Sequence, residues 1–390
     1  MDTGGDKPPP YSSLTSARRE RACPFRSPCH CKGTKTSQIH HQLERSLVLR
    51  FFSIKESPMR QVKPSCYDDF HCLAGQCPDS CCQEWDVDVD DASAARYLAL
   101  PGPLGDRLRE KLNNDGDGWY LKITDRRCPM WRTDGLCQIQ HELGEEALCQ
   151  VCHQFPRLRH DYGDFLELGL ELSCPEAARI ILTQPWDTVT TEVPGGEDPD
   201  YDGDLMAILL ESRQEALKLL QDHPLPQALV LLLLYAHRVQ DRIDGGEAVP
   251  FDPVAELAFA KQHVQPWSTA PLRQLYRSLE LLTDRWRDLL DAPDAPTPWQ
   301  EHHRAFLRYG IGRYWLQAVS DWDLVCRVKL LLSAAILLRH LPGDPIRNAQ
   351  LWSKEIENST ENIDTLLDAA YTHPALTDID LLSALSAAKG

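Results

Sequence analysis

The chain is 390 residues long, 42% hydrophobic and 25% charged, which is the composition of an ordinary globular protein, and its formal net charge is −17. Residues 1–58 carry ten basic and five acidic side chains, so residues 59–390 hold a charge of −22. This acidity argues against nucleic-acid binding, because phosphate recognition needs a basic face. It favours a basic or lysine-bearing protein surface as the partner, although it also serves solubility alone.

The sequence predicts a cytoplasmic protein without a membrane partner. Its first residues lack the charged and apolar segments of a secretory signal. The longest apolar run, from Ala228 to Ala236, is far shorter than the ~20 residues that span a bilayer. In a reducing compartment, the 14 cysteines are expected to bind metal or act as thiols rather than form disulfides.

Residues 1–58 are rich in Pro, Ser, Arg and Lys and show no sustained apolar periodicity, so we predict a disordered extension. Met59 opens a better patterned sequence, and we expect it to be the true start of the protein. A mitochondrial transit peptide is the rival interpretation, but prolines and early acidic residues disfavour it.

Residues 59–185 form a predicted cysteine-rich unit. Asp134-Gly135 is a strong turn signal and predicts a small β-hairpin within residues 122–140. A short helix is expected over 139–148, and the alternating leucines of 165–172 predict a strand. Cys174 then precedes a helix that begins at Pro175, where the helix N-terminus is expected to favour its thiolate.

The rest of the chain is expected to be helical. Residues 186–203 are predicted to be a linker from their Pro, Gly and Asp content, and residues 204–390 carry helical apolar faces. No Gly-rich loop follows an apolar strand, so a doubly wound Rossmann domain is not expected. The predicted fold is therefore mainly α, with a cysteine-rich N-terminal unit that holds a small hairpin and strand, followed by an all-α domain.

Ten cysteines fall between residues 66 and 174, too many to be explained as isolated buried thiols. Nine of the ten, all but Cys66, occur in four blocks: Cys72-x4-Cys77-x3-Cys81-Cys82, Cys128-x8-Cys137, Cys149-x2-Cys152, and Cys174. Clustered thiols in turns suit a soft metal. Spacing alone leaves open a structural zinc and a [4Fe–4S] cluster.

The segments FHCLAGQCPDSCCQEWDVDVD, RRCPMWRTDGLCQIQHELGEEALCQVCHQFPRL and LELSCPEAARIIL closely resemble the flagellin lysine-N-methylases, the FliB family. A more distant resemblance links them to small proteins with a Cys-Cys zinc- or iron-chelating motif. The resemblance covers roughly residues 59–185. It implies methylation of flagellin lysines, with S-adenosylmethionine as the methyl donor and a [4Fe–4S] cluster required for activity.

The predicted metal ligands are drawn from six cysteines of the first three blocks. Cys128 and Cys137 converge if the hairpin forms, and Cys152 lies one short helix later. Cys149 is expected to be a bystander, and Cys326 a core residue. The candidate ligand set is Cys77, Cys81, Cys82, Cys128, Cys137 and Cys152.

Several questions of mechanism stay open at this point. The radical spacing C-x3-C-x2-C is absent, because Glu84 stands where the third cysteine would fall. A cluster with three cysteine ligands leaves one iron open to the donor, whereas a fully ligated cluster is structural. Asp86, Asp88 and Glu171 are candidates to orient the lysine amine. The alternative function is a non-catalytic iron–sulfur or zinc-binding scaffold, and electron transfer or redox sensing is a third possibility.

Overall fold

The structure is a computed structural model, and it describes residues 57–116 and 118–386. Most of the predicted disordered extension, including Cys23, Cys29 and Cys31, lies outside the described residues. Its last two residues, Ser57 and Pro58, belong to the first strand. The described residues fall in a single unit.

Strands are confined to the N-terminal half of the described part. They are β1 (Ser57–Pro64), β2 (Val87–Val89), β3 (Leu112–Asn114), β4 (Trp119–Leu121), β5 (Arg157–Asp161), β6 (Phe165–Leu170) and β7 (Thr188–Gly196).

The α-helices occur throughout, with short 3-10 turns between some of them. They are α1 (Asp91–Ala99), α2 (Gly102–Lys111), α3 (Gln138–Leu143), α4 (Gln150–Gln154), α5 (Pro175–Thr183), α6 (Gly203–Asp222), α7 (Leu225–Ile243), α8 (Pro253–Gln262), α9 (Ala270–Arg277), α10 (Asp284–Asp291), α11 (Glu301–Tyr314), α12 (Val325–His340), α13 (Pro345–Ile356), α14 (Thr360–Thr372) and α15 (Asp378–Ser386).

The larger sheet has the strand order β5-β6-β1-β7, so the first strand of the described chain lies inside it. β1 runs parallel to β6, with Arg60 opposite Phe165, and antiparallel to β7. The segment 186–203, expected to be a linker, thus contains a nine-residue strand. Its Pro-Gly sequence lies at the end of that strand, and its Thr and Val residues pair with β1.

A smaller antiparallel sheet, β2-β4-β3, packs with α1 and α2 around a second apolar core. Leu108 and Met130 are almost completely buried in it. Two cysteines, Cys128 and Cys149, belong to the same core. The cysteine loops therefore lie on a folded platform of their own, in the first 100 residues of the described chain.

From α6 onwards, every named element among the described residues is helical. The core of this part is built around α12, all of whose residues are buried. Cys326 lies in it at 3% exposure, which confirms the expectation that it is a core residue. Trp286 and Trp315 are buried, whereas Trp322 is exposed and has a left-handed φ of 63°.

The predicted fold class is confirmed: over residues 57–116 and 118–386 the protein is mainly α, with strands in the first half, a helical C-terminal part and no Rossmann domain. None of the helices in the described ranges is long and apolar enough to cross a membrane.

Candidate metal centre

Cys82 and Cys128 are brought together by backbone pairing between two loops. The amide of Cys128 donates to the carbonyl of Cys82 at 2.8 Å, and Gln83 forms a bridge with Arg127. The hydroxyl of Ser80 accepts from the Cys82 amide at 3.2 Å. These bonds fix the second block of cysteines against the first, although 46 positions separate them in the sequence.

Cys137 reaches the same place through the turn that the sequence predicts. Gly135 has a φ of +81°, and its amide donates to the carbonyl of Arg132 at 3.0 Å. The turn is present, but its ladder is one isolated bridge between Trp131 and Cys137, not a pair of strands. The ladder cannot lengthen because Pro129 has no amide hydrogen and because Cys137 already caps α3.

The third block lies at the start of α4, where Cys149 is the capping residue and Cys152 is in the first turn. The carboxylate of Asp90, which caps α1, also accepts from the amide of Gln150 at 2.9 Å. The Cys149 thiol donates to the carbonyl of Asp88 at 3.5 Å. Helices α1 and α4 are thereby joined through one carboxylate at the edge of the cysteine loops.

Five thiols from these loops are close enough to affect each other's ionisation, and we call them the inner thiol group: Cys82, Cys128, Cys137, Cys149 and Cys152. Burial raises the pKa of Cys128 to about 12, and negative charge on Cys82, Cys137 or Cys149 would raise it further.

Hydrogen bonds between neighbouring thiols have the opposite effect on two members of the group. A bond from Cys152 lowers the pKa of Cys149 to about 7, and a bond from Cys81 lowers the pKa of Cys82 to about 7. The donor thiols Cys152 and Cys81 have raised pKa values for the same reason. The inner thiol group thus contains two thiols that ionise near neutral pH without any metal.

Cys72, Cys77, Cys81 and Cys174 form a second set, the outer thiol group, which meets the inner one at the Cys81-Cys82 pair. Burial raises the pKa of Cys174 to about 11, and negative charge on Cys77 and Cys72 adds to the rise. The expectation of a thiolate at Cys174 is therefore wrong. The residue does precede α5, but burial outweighs the amides at the N-terminus of that helix.

The helical part of the protein holds the loop between Cys77 and Cys82 through one carboxylate. Asp79 pairs with Lys354 of α13 at 2.7 Å and accepts from Gln350 at 3.0 Å. Gln350 also donates to the carbonyl of Ser173, beside Cys174, at 2.7 Å. The Nζ of Lys354 lies 4.8 Å from the centre of the Trp85 ring. Lys354 and Gln350 of α13 thus hold the loop between Cys77 and Cys82, and Gln350 also holds Ser173, the residue before Cys174.

The structure brings together four of the six predicted ligands, Cys82, Cys128, Cys137 and Cys152, and places Cys81 beside them. Cys77 lies with the outer thiol group instead. Cys149, expected to be a bystander, is a buried member of the inner thiol group. The C-x2-C spacing of Cys149 and Cys152 is the sequence feature that indicates its place in this group. Which thiols bind metal remains a prediction.

Thiolates are ligands both of structural zinc and of a [4Fe–4S] cluster, so the donor types alone leave both open. All eleven cysteines in the described ranges are free, and no three described His, Cys, Asp or Glu side chains are placed to hold one metal ion. A [4Fe–4S] cluster binds each cysteine at a different iron, so it takes at most four of the five thiols of the inner thiol group.

The three candidate carboxylates have other roles in the structure. Asp86 accepts from the amide of Ile123 at 2.8 Å, and the side chain of Asp88 is exposed on β2. Glu171 is buried and accepts from Ser173 and Asn358, and burial raises its pKa. None of the three shows contacts that distinguish it as the base for a lysine amine.

Comparison with curated proteins gives relatives of one kind. The chain is 31% identical over 132 residues to the flagellar biosynthetic protein FliU of Salmonella muenchen, which covers 32% of this chain and 78% of that protein. It is 31% identical over 132 residues to lysine-N-methylases of Salmonella choleraesuis and Salmonella typhimurium. The match spans about a third of the length of those two enzymes. No family model and no solved structure matches the chain.

Proposed function

The chain belongs to the FliB/FliU family of lysine-N-methylases, and on that premise we propose that it is a protein-lysine N-methyltransferase. The proposed substrate is flagellin, the proposed donor is S-adenosylmethionine, and the proposed cofactor is a [4Fe–4S] cluster. The observation that supports the cofactor is the inner thiol group, because five soft donors from separate loops meet on a folded platform.

The reaction transfers a methyl group between two heteroatoms. The lone pair of the lysine nitrogen attacks the methyl carbon of the donor, and the bond from that carbon to the sulfonium breaks, leaving a neutral thioether. Lysine has an ordinary pKa near 10.4, so its ammonium must lose a proton before it can attack. The protein therefore has to supply a base or lower the pKa of the substrate lysine.

The ligands of the cluster are proposed to come from Cys82, Cys128, Cys137, Cys149 and Cys152, of which at most four bind because each iron accepts one cysteine. When bound, such a cluster supplies a rigid core for the loops and, with only three cysteine ligands, one iron open to a further donor. The amides of α3 and α4 that point toward these sulfurs favour their ionised form. Clamping by Lys354 and Gln350 keeps the neighbouring loop in place.

The charge of the protein supports a basic substrate surface. Residues 59–390 carry −22, and a field of this sign attracts a lysine-bearing surface and speeds its encounter. The attraction is screened by salt over about 10 Å at 0.1 M, so methylation of a folded protein should slow as salt is added.

The test begins with anaerobic purification, followed by measurement of iron, sulfide and zinc. The protein is then incubated with flagellin and S-adenosylmethionine, and the intact mass of flagellin is recorded. We expect about four irons with matching sulfide per chain and mass increments of one methyl group. Zinc without iron would contradict the cluster, and iron without any methyl transfer would favour the scaffold alternative.

A further inference from the structure

A pocket of about 240 Å³ lies between the larger sheet and helices α6 and α11, away from the inner thiol group. Its floor is apolar and includes Val62, Leu168 and Leu210. Its wall includes two positions without side chains, Gly169 on β6 and Gly312 on α11. The cavity is below the ~300–1,000 Å³ of pockets for drug-sized ligands, so a small molecule fits it best.

Cationic side chains dominate the polar part of this pocket. Five basic residues line it, whereas Glu167 is its single carboxylate. Glu167 is already paired with Arg213 through two hydrogen bonds of 2.6 and 2.9 Å. The guanidinium of Arg308 lies 4.0 Å from the centre of the Trp186 ring at the same surface. Arg313 is likewise paired, through Nε, with Glu357 at 3.2 Å, and the Glu357 side chain is buried. The lining still offers a ligand more hydrogen-bond donors than acceptors, which disfavours a lysine side chain.

Two buried polar atoms in the pocket lack a hydrogen-bond partner among the described residues. They are Nε2 of His160 and Nη1 of Arg313. Both side chains line the same pocket, and burial, with a smaller contribution from the charge of Arg313, lowers the pKa of His160. Because buried polar atoms in native proteins are nearly always paired, two unpaired atoms in the lining of one pocket indicate a group that a ligand supplies. Nη1 of Arg313 is a donor only, so that group is an acceptor.

We propose that this pocket binds a small monocarboxylate with an apolar body, its carboxylate between Arg313 and His160 and its body along the leucine floor. A carboxylate has two acceptor oxygens, one for each unpaired atom, and its hydrogen bond with the guanidinium is charge-assisted. S-adenosylmethionine does not meet this description, since its sulfonium and ammonium give it a net positive charge. The inference is therefore independent of the proposed methyl transfer.

The ligand class is tested by calorimetric titration of the whole chain with straight-chain carboxylates from butanoate to decanoate. Each added methylene should tighten binding about fourfold until the pocket is full, after which affinity should level off. Alkylamines of the same lengths are the matched control and should not bind. Absence of carboxylate binding, or equal binding of the amines, would overturn the proposal.

Two variants locate the site. Gly312 has no atom within 4 Å of the position of an added Cβ, so Gly312→Leu should fold and obstruct the pocket, while Gly312→Ala leaves room and serves as its control. His160→Leu removes one of the two unpaired atoms without breaking a bond made within the described structure, and should weaken carboxylate binding about tenfold or more. Unchanged affinity in both Gly312→Leu and His160→Leu would show that the carboxylate binds elsewhere.

Discussion

Nζ of Lys354 lies 2.7 Å from Oδ1 of Asp79, and this pair joins helix α13 to the loop between Cys77 and Cys82. The lysine side chain is 1% exposed and the aspartate 13%. The two residues are 275 positions apart in the sequence. This buried ion pair therefore helps to couple the helical part of the protein to the cysteine loops.

Lys354→Met should destabilise the protein by about 3 kcal/mol, because it leaves Asp79 buried with Arg347 as its remaining cationic partner. Arg159→Met is the matched control. The Arg159–Asp161 pair is about half exposed at both ends, so its loss should cost less than ~1 kcal/mol. Urea unfolding of both variants measures the difference. Equal losses of unfolding free energy in the two variants would show that the buried Lys354–Asp79 pair stabilises the protein no more than an exposed pair does.

Cys149→Ser should abolish iron binding, whereas Cys66→Ser should leave it unchanged. Both thiols are buried, at 2% and 3% exposure, but Cys149 belongs to the inner thiol group and Cys66 to the main core. Serine keeps the size of the side chain and is a much poorer ligand for soft iron.

Cys128→Ser, Cys137→Ser and Cys152→Ser should behave like Cys149→Ser, and Cys326→Ser like Cys66→Ser. Iron analysis after anaerobic purification separates the two classes, with circular dichroism as the check on folding. Iron retained in Cys149→Ser, or lost in Cys66→Ser, would mean that the inner thiol group is not the metal site.

Cys72 and Cys174 should differ strongly in reactivity in the iron-free protein. Cys72 is exposed, whereas Cys174 is buried with a pKa raised to about 11 by that burial. At pH 7.5, far below that pKa, little of Cys174 is thiolate, which is the reactive form. Iodoacetamide followed by peptide mass spectrometry should show rapid alkylation of Cys72 and little of Cys174. Comparable alkylation rates at Cys72 and Cys174 would show that Cys174, before α5, is a thiolate after all.

Asp378 should make the stability of the protein depend on pH in the acid range. Burial alone would raise its pKa, but a hydrogen bond from His237 and the charges of His237 and Lys329 bring it to about 2. A carboxyl whose folded pKa is depressed stabilises above its unfolded pKa, near 3.9, and loses that stabilisation as pH falls through about 2. The contribution is about 2 kcal/mol at neutral pH.

Asp378→Asn removes this carboxylate and gives the matched comparison. Urea midpoints of the two proteins should differ most at pH 5 and above, and the difference should shrink between pH 4 and pH 2. A constant difference down to pH 2.5 would show that the pKa of Asp378 is not depressed.

The features that the sequence predicts correctly are those set by residues close together in the chain. The turn at Asp134-Gly135, the helix that begins at Pro175 and the burial of Cys326 each depend on a few neighbouring residues. The position of Cys174 before α5 is also predicted correctly. The prediction of a thiolate there is wrong, because burial raises the pKa of Cys174 and is set by residues distant in sequence. Position along a helix is a local property, whereas desolvation is a property of the whole fold.

The larger sheet was the main omission. β1 contains two prolines and β5 alternates weakly, so neither carries a clear strand pattern. β7 contains a Pro-Gly sequence, which is typical of loops, and its segment is therefore predicted to be a linker. These segments become strands only by pairing with one another, and the pocket with His160 and Arg313 exists only because that sheet is covered by α6 and α11.

The position of β1 inside the larger sheet has a consequence for the order of events during protein synthesis. Arg60 pairs opposite Phe165, so β1 has no partner strand until more than 100 further residues have been made. At about 5–20 residues per second that delay is roughly 5–20 s. The cysteine loops emerge from the ribosome during this interval, and Lys354, which clamps them, is translated later still. The thiols of these loops are thus exposed to oxygen on a nascent chain whose sheet is open, before Lys354 is available to hold the loop between Cys77 and Cys82.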